Sequence, residues 1–340
     1  MKSVKLNFLV AVGLVLLFGS AFGWIGQAFG DAQFIRGDAD GDCLVGWLDV
    51  NSIICYYFEG ASLPCDDAGD VTDDGIVSLG DIVYLIIYID RNGPPPPPPF
   101  PNPGSDPTPD TLGCATACVS PTPSNADSLI VPSVQASAGE TISVPLIVEN
   151  VQNVMGYQVH LEFDSTLLKV TGVDTIGTAT DTAGADVFGF FNYGNCVDIC
   201  CTIDCAHSVG IPAGRHTLLK VIFRATWSAP CTTTVTVLDL TNTLGPPFRG
   251  NLLDYNAGNV YPTLVDGNFA SGYLNCGDAN GSGLVELGDV VYLITYLYKS
   301  GPPPEPLVNG DANCSGIVEL GDVVKLISYL YRGGPPPCSQ

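Results

Sequence analysis

Positive charge is what this 340-residue sequence has least of: 12 Lys+Arg stand against 35 Asp+Glu, for a formal net charge of -23. A chain so acidic repels phosphate backbones, which excludes nucleic acid as a partner. Histidine is scarce as well, with three in all. His160 falls on the polar phase of a strand pattern and reads as a surface residue, while His207 and His216 lie in or beside loops without a serine–acid context. HExxH, GxSxG, a Walker loop and a dinucleotide fingerprint are all missing. The dense carboxylate groups fall inside short repeated loops, so no enzyme is expected. Beyond the N-terminus no apolar run is long enough to span a bilayer.

What is present begins with an export signal. Lys2 and Lys5 precede an apolar run from Phe8 to Trp24, followed by the small residues Ala28 and Gly30, which places cleavage near Gly30 and a signal peptide over 1–30. A retained anchor is the competing reading, weakened by Asn7, Ser20 and the glycines at 13, 19, 23 and 26. In both readings the rest of the chain is extracellular, secreted or held at the cell surface, with no membrane contact after cleavage. Thirteen cysteines suit that oxidising compartment, and the odd count leaves at least one thiol unpaired or bonded to another chain.

One unit is written four times. The clearest copies, beginning Gly277-Asp-Ala-Asn-Gly-Ser-Gly and Gly310-Asp-Ala-Asn-Cys-Ser-Gly, lie 33 residues apart. Looser copies begin at Asp38 and Asp70. Each runs into an apolar segment (Val50–Phe58, Ile82–Ile89, Val290–Tyr298, Val323–Tyr331) that reads as a helix of about three turns. A single such helix cannot bury its stripe, so the natural unit is a pair. This predicts an N-terminal pair over 31–92, a Pro-rich linker over 93–125, a middle domain over 126–272 and a C-terminal pair over 273–340. The linker's prolines favour extended polyproline geometry, which reads as a spacer. The middle domain alternates apolar and polar residues over Thr141–Val148, Tyr157–Phe163, Leu167–Val173, Leu218–Phe223 and Thr233–Leu238, the pattern of a β-sandwich.

The repeated loops carry the chemistry. Oxygen-bearing side chains stand at positions 1, 3, 5 and 12, with the carbonyl of position 7 between them. In order these are Asp38, Asp40, Asp42, Leu44 and Asp49; Asp70, Thr72, Asp74, Ile76 and Asp81; Asp278, Asn280, Ser282, Leu284 and Asp289; and Asp311, Asn313, Ser315, Ile317 and Asp322. A tight loop that turns alternate side chains inward, closed by a carboxylate from the next helix, serves a hard cation needing six to eight oxygens; calcium suits that number and flexibility better than magnesium. Asp, Asn and Gly also mark plain turns, but four copies at one internal spacing point to about four Ca2+ sites.

These loops resemble the dockerin repeat, a calcium loop with an exiting helix and an Asp at position 12, as at Asp49, Asp81, Asp289 and Asp322. Gly75, Gly283 and Gly316 match that pattern's glycine at position 6, and Cys43 departs from it. Positions 10 and 11, where well-studied dockerins carry hydroxyl residues toward their partner, are here Trp47-Leu48, Leu79-Gly80, Leu287-Gly288 and Leu320-Gly321, so partner preference is not carried over. The middle domain resembles the cohesin sandwich through Ala138–Asn150, Tyr157–Leu168 and Gly214–Phe223. The resemblance implies a mainly β chain with small α modules: a cohesin-like sandwich flanked by two dockerin-like pairs. It also brings the ends of the C-terminal pair together, which suggests a Cys276–Cys338 clasp and leaves Cys314 without a mate.

Cys196, Cys200, Cys201 and Cys205 crowd a stretch read as a loop, where disulfides, some to Cys114, Cys118 or Cys231, are favoured over a metal site. With receptor and plug on one chain, the expectation is a calcium-dependent structural protein that assembles with other copies of itself, head to tail, or with cohesin- or dockerin-bearing proteins. A glycan-binding module is the alternative, resting on the aromatic cluster Phe188, Phe190, Phe191 and Tyr193. Folding of a pair back onto its own sandwich is a third reading, which the Pro-rich spacer disfavours for the N-terminal pair.

Overall fold

The computed structural model describes residues 33–338, except 109, 137–138, 227–234, 244, 257, 272–275 and 306. The export-signal reading of residues 1–30 and the cysteine at 231 lie outside them. Among the described residues no helix is long and apolar enough to cross a membrane.

The middle of the chain is built from strands: β1 (Thr122–Ile130), β2 (Val134–Ala136), β3 (Thr141–Asn150), β4 (Gly156–Glu162), β5 (Leu168–Asp174), β6 (Val187–Asn192), β7 (Cys196–Thr202), β8 (Gly214–Ala225), β9 (Val235–Leu240), β10 (Leu252–Asp254), β11 (Val260–Val265) and β12 (Gly267–Ser271). Pairing runs β5–β8–β3–β1–β11–β10–β4, then through β9 and β12 to β2, and β7 joins β4 to β6. One side of β4 is taken by β7 along its whole length, from Gly156 opposite Thr202 to Glu162 opposite Cys196; β10 and β9 share the other. The path folds over itself, so that Val144, Leu146 and Val148 of β3 and Leu219, Val221 and Phe223 of β8 meet Tyr157, Val159 and Leu161 of β4 in one core. Phe163 closes it with its ring edge-on to Phe223, centroids 5.1 Å apart.

The stretch 196–202, read from sequence as a cysteine-rich loop, is strand β7. Every one of its residues is buried, so the two-residue alternation that marks a half-wet strand is absent. Strand β4 is likewise buried at all but its last residue, although its sequence alternates. Its polar side chains are covered by the N-terminal pair.

That pair consists of α1 (Trp47–Ile54), which continues into a π-helical turn Cys55–Glu59, a short α2 (Asp66–Gly69) and α3 (Leu79–Arg91). Val50 and Ile53 of α1 bury against Ile82, Leu85 and Ile89 of α3. After one further short helix in the sandwich, α4 (Ala179–Ala183), the C-terminal pair is α5 (Leu287–Lys299) and α6 (Leu320–Arg332). Its core is Val290 and Leu293 against Val323 and Leu326, with Ala279 and Ala312 from the loops.

The Pro-rich segment is not an extended spacer. It doubles back along the N-terminal pair, because polyproline carbonyls have no internal partners and are free to accept. The Arg36 N–H donates to the Pro99 carbonyl at 2.7 Å, its Nε donates to Pro98 O at 3.1 Å, and Tyr84 Oη donates to Pro95 O at 3.0 Å. The same buried guanidinium meets Asp106 at 2.8 Å and Asp73 at 2.9 Å. Disulfides Cys43–Cys118 and Cys65–Cys114 fasten the far end of the segment to the pair.

Candidate functional site

All four acidic loops use one hydrogen-bond scheme. The carboxylate at position 1 accepts the backbone N–H of positions 5 and 6: Asp38 from Asp42 (2.9 Å) and Cys43 (3.0 Å), Asp70 from Asp74 (3.1 Å) and Gly75 (2.7 Å), Asp278 from Ser282 (2.9 Å) and Gly283 (2.7 Å), Asp311 from Ser315 (3.0 Å) and Gly316 (2.7 Å). The carboxylate at position 12 reaches back to positions 3 and 9. Asp49 accepts from Asp40 and Gly46, Asp81 from Thr72 and Ser78, Asp289 from Asn280 and Glu286, and Asp322 from Asn313 and Glu319. Position 12 is also the third residue of each helix, so one carboxylate both closes the loop and caps the helix N-terminus.

Position 6 explains why Cys43 is tolerated. It takes the left-handed conformation, φ 66°, that Gly75, Gly283 and Gly316 take at 86°, 88° and 91°. Its disulfide to Cys118 holds it there. At position 7, Ser282 Oγ and Ser315 Oγ donate to the carbonyls of Leu284 and Ile317, whose side chains face solvent. Leu44 and Ile76 occupy the same place, and each backbone N–H there donates to the position-5 Asp, Asp42 or Asp74.

The donor set fits a divalent cation. Carboxylate oxygens of Asp38, Asp40 and Asp49 lie within 4.8 Å of one another, and Asp49, Asp81, Asp289 and Asp322 are at most 2% exposed. Burial, then the charge of Asp42, pushes Asp38 up to about 7, and burial, then Asp38 and Asp254, pushes Asp40 up to about 8. Asp42 and Asp49 are raised well above the ordinary value by burial and by neighbouring loop carboxylates. Burial also raises Asp70, Asp289 and Asp322. Carboxylates gathered out of water are relieved either by protons or by a metal ion.

The second feature is the contact between α1 and the sandwich. Trp47 stacks on Phe191 of β6, centroids 3.6 Å and planes 12° apart. Its Nε1 donates to Asp198 Oδ2 of β7 at 3.2 Å, and its backbone N–H donates to Gln158 Oε1 of β4 at 2.9 Å. One turn on, Asn51 Nδ2 donates to Thr202 Oγ1 at 3.2 Å. Arg249 Nη2 donates to the Ile89 carbonyl near the end of α3, while its guanidinium lies 4.3 Å over the Tyr193 ring. A disulfide, Cys55–Cys205, joins the two bodies covalently.

This contact corrects three expectations. The N-terminal pair folds onto its own sandwich. His160 is not a surface residue: it is 3% exposed, with Nδ1 on Asp198 at 2.5 Å and Nε2 on Glu162 at 3.2 Å. Of the cysteines at 196–205, only Cys205 is bonded, to Cys55, while Cys196, Cys200 and Cys201 are buried free thiols. In the C-terminal pair Cys338 closes on Cys314, the residue that had no expected mate. Cys276 shares that cluster, the three sulfurs lying within 4.8 Å of one another. The aromatic cluster does not form an exposed row: Phe191 is under Trp47, Tyr193 under Arg249, and Phe190 packs on the sandwich core, while Phe188 of the four is exposed.

Residues 128–243 match the family model described as the Cohesin domain, so this region is a cohesin domain on a mainly β sandwich. Similar solved structures include a type I cohesin–dockerin complex from Clostridium thermocellum (15% identity, 43% of this chain, 98% of that chain, TM-score 0.36). Others are a non-cellulosomal cohesin from the archaeon Archaeoglobus fulgidus (20%, 46%, 98%, TM-score 0.33) and a ScaB type I cohesin from Pseudobacteroides cellulosolvens (15%, 44%, 94%, TM-score 0.36). No curated protein matches the chain.

Proposed function

We propose that this chain is a secreted, calcium-binding, non-catalytic assembly protein whose cohesin sandwich is filled in cis by its own N-terminal dockerin-like pair. The observation that carries this reading is Trp47 of α1 buried between Phe191, Asp198 and Gln158, about two turns from a disulfide that tethers the two bodies. Calcium in each loop neutralises the clustered carboxylates and orders the following helix, so that binding energy becomes folding energy.

The cis contact tells against head-to-tail growth through this face, because the face a second copy would need is occupied. The C-terminal pair is then the outgoing plug. The repeat register equates Trp47 and Asn51 with Leu287 and Val291 on α5 and with Leu320 and Val324 on α6, and these four are 52%, 55%, 53% and 59% exposed. A partner bearing an unfilled cohesin sandwich fits them. Glycan binding loses its motive once Phe190, Phe191 and Tyr193 are taken up in packing and Phe188 alone of the four is left exposed.

The test is titration of the full-length chain, in calcium, against purified cohesin domains from other proteins. Saturable binding that Leu287→Asp with Leu320→Asp abolishes supports the reading. No binding, together with calcium-driven self-association, overturns it.

A further inference from the structure

Asn259, just before β11, is a sandwich residue with its side chain in the first acidic loop. It is 8% exposed, and its Nδ2 donates to Oδ2 of Asp40 at 3.0 Å and to Oδ2 of Asp42 at 2.9 Å. Those are positions 3 and 5 of the loop, 219 and 217 residues away in sequence. The other oxygens of the same carboxylates are held from within the loop, Asp40 Oδ1 by the Asp42 N–H and Asp42 Oδ1 by the Leu44 N–H. Both ligand carboxylates are therefore gripped on two sides, once by their own loop and once by the sandwich.

The neighbouring sandwich segment continues the contact. Phe248 N–H donates to the Val45 carbonyl at 2.7 Å, and Leu48 is buried with Phe248 and Leu252. In the other loops the side chains at these positions turn inward to their own loop: Thr72 Oγ1 donates to Asp81, Ser282 Oγ to Leu284 O, and Ser315 Oγ to Ile317 O. Beside the first loop a cavity of about 680 Å³, lined among others by Asp40, Asp42, His207, Asp254 and Asn259, gives solvent access while the pair stays docked.

We infer that the first loop's cation site is composite: Asn259 of the sandwich positions two of its ligand carboxylates, so cation binding and docking of the N-terminal pair form one linked equilibrium. The inference rests on the calcium reading of the loops given above. Donors behind the ligand oxygens orient them and raise affinity, and losing such a donor typically costs about 10- to 100-fold in metal binding. By reciprocity, whatever factor docking adds to the affinity of this loop, the cation adds to docking. When the pair leaves the sandwich, Asp40 and Asp42 keep their backbone donors, lose Asn259, and repel each other without a bridge.

The experiment uses the intact chain with its disulfides. Calcium is titrated calorimetrically into wild type and Asn259→Ala, and amide hydrogen exchange is followed with calcium and after chelation. The expected result is about 10- to 100-fold weaker binding at one site of the variant with the other sites unchanged. In wild type, calcium should slow exchange in residues 248–256 of the sandwich as well as in the loops. Superimposable isotherms for variant and wild type, or sandwich exchange that ignores calcium, would overturn the composite site while leaving the calcium reading intact. No calcium binding by wild type would overturn both. Should Asn259→Ala fail to fold, the exchange arm on wild type decides alone.

Discussion

Trp47 and Asp198 lie 151 residues apart in sequence, yet the indole Nε1 donates to the carboxylate at 3.2 Å while the same carboxylate holds His160 on its other oxygen. The pair thereby covers the polar side of β4 and β7, the side that a free sandwich would give to water.

Trp47→Ala is expected to loosen this contact more than any other single truncation. It removes the stack on Phe191 and leaves Asp198 short of a donor. Large aromatic truncations of this kind cost about 3–5 kcal/mol. Chemical unfolding in calcium should show the loss, and hydrogen exchange should show residues 196–202 becoming accessible. An unchanged unfolding curve would mean that the contact contributes little.

The contact should also depend on pH through His160. Burial pushes the His160 pKa down, but the hydrogen bond and charge of Asp198, with help from Glu162, outweigh it and hold the pKa above 6.5. A raised pKa in the folded state means extra protons bound on folding. The stabilisation is complete below pH 6.5 and is lost as pH rises through the raised value. Thermal unfolding in saturating calcium, where the loop carboxylates stay ionised, should show on either side of that window a decline that His160→Gln abolishes. A slope that persists in the variant belongs to another group.

Much of this arrangement was legible in the sequence, and the failures have specific causes. The loops and their helices announced themselves through a fixed spacing that a local hydrogen-bond scheme enforces, so Asp38 through Asp322 could be placed by register alone. The strands Tyr157–Phe163 and Leu218–Phe223 showed their alternation. His160 was misread because alternation reports which side chains are polar, and a polar side chain is wet only until another body lands on it. Strand β7 was missed because both its faces are buried. The doubling back of the proline segment depends on Arg36, whose partners Pro98, Asp73 and Asp106 are brought together only by the fold.

The thiols give a chemical check on the disulfide pattern. Burial raises Cys196 to about 11 and Cys200 and Cys201 to about 12, with the Asp198 charge adding to Cys196 and the Cys201 and Asp198 charges to Cys200. All three should resist iodoacetamide in the native protein and react once it is denatured without reductant. Peptide mapping under the same conditions should recover Cys55 joined to Cys205. Ready alkylation of the native chain at these sites would contradict the buried β7.

Removing calcium should act on both pairs. A ligand at about 1,000 times its dissociation constant stabilises by about 4 kcal/mol per site. Chelation should therefore lower the melting temperature substantially, and Asp289→Ala with Asp322→Ala should remove the calcium response of α5 and α6 alone. A melting curve indifferent to chelator would leave the loops as plain turns.

Light scattering of the disulfide-intact chain, with millimolar calcium and again after chelation, tests whether the N-terminal pair keeps its own sandwich face closed. A single-chain mass, at or below 35.6 kDa, is expected in both conditions. Growth to large, polydisperse species in calcium that revert on chelation would contradict it, because it would show the sandwich face open to a second copy.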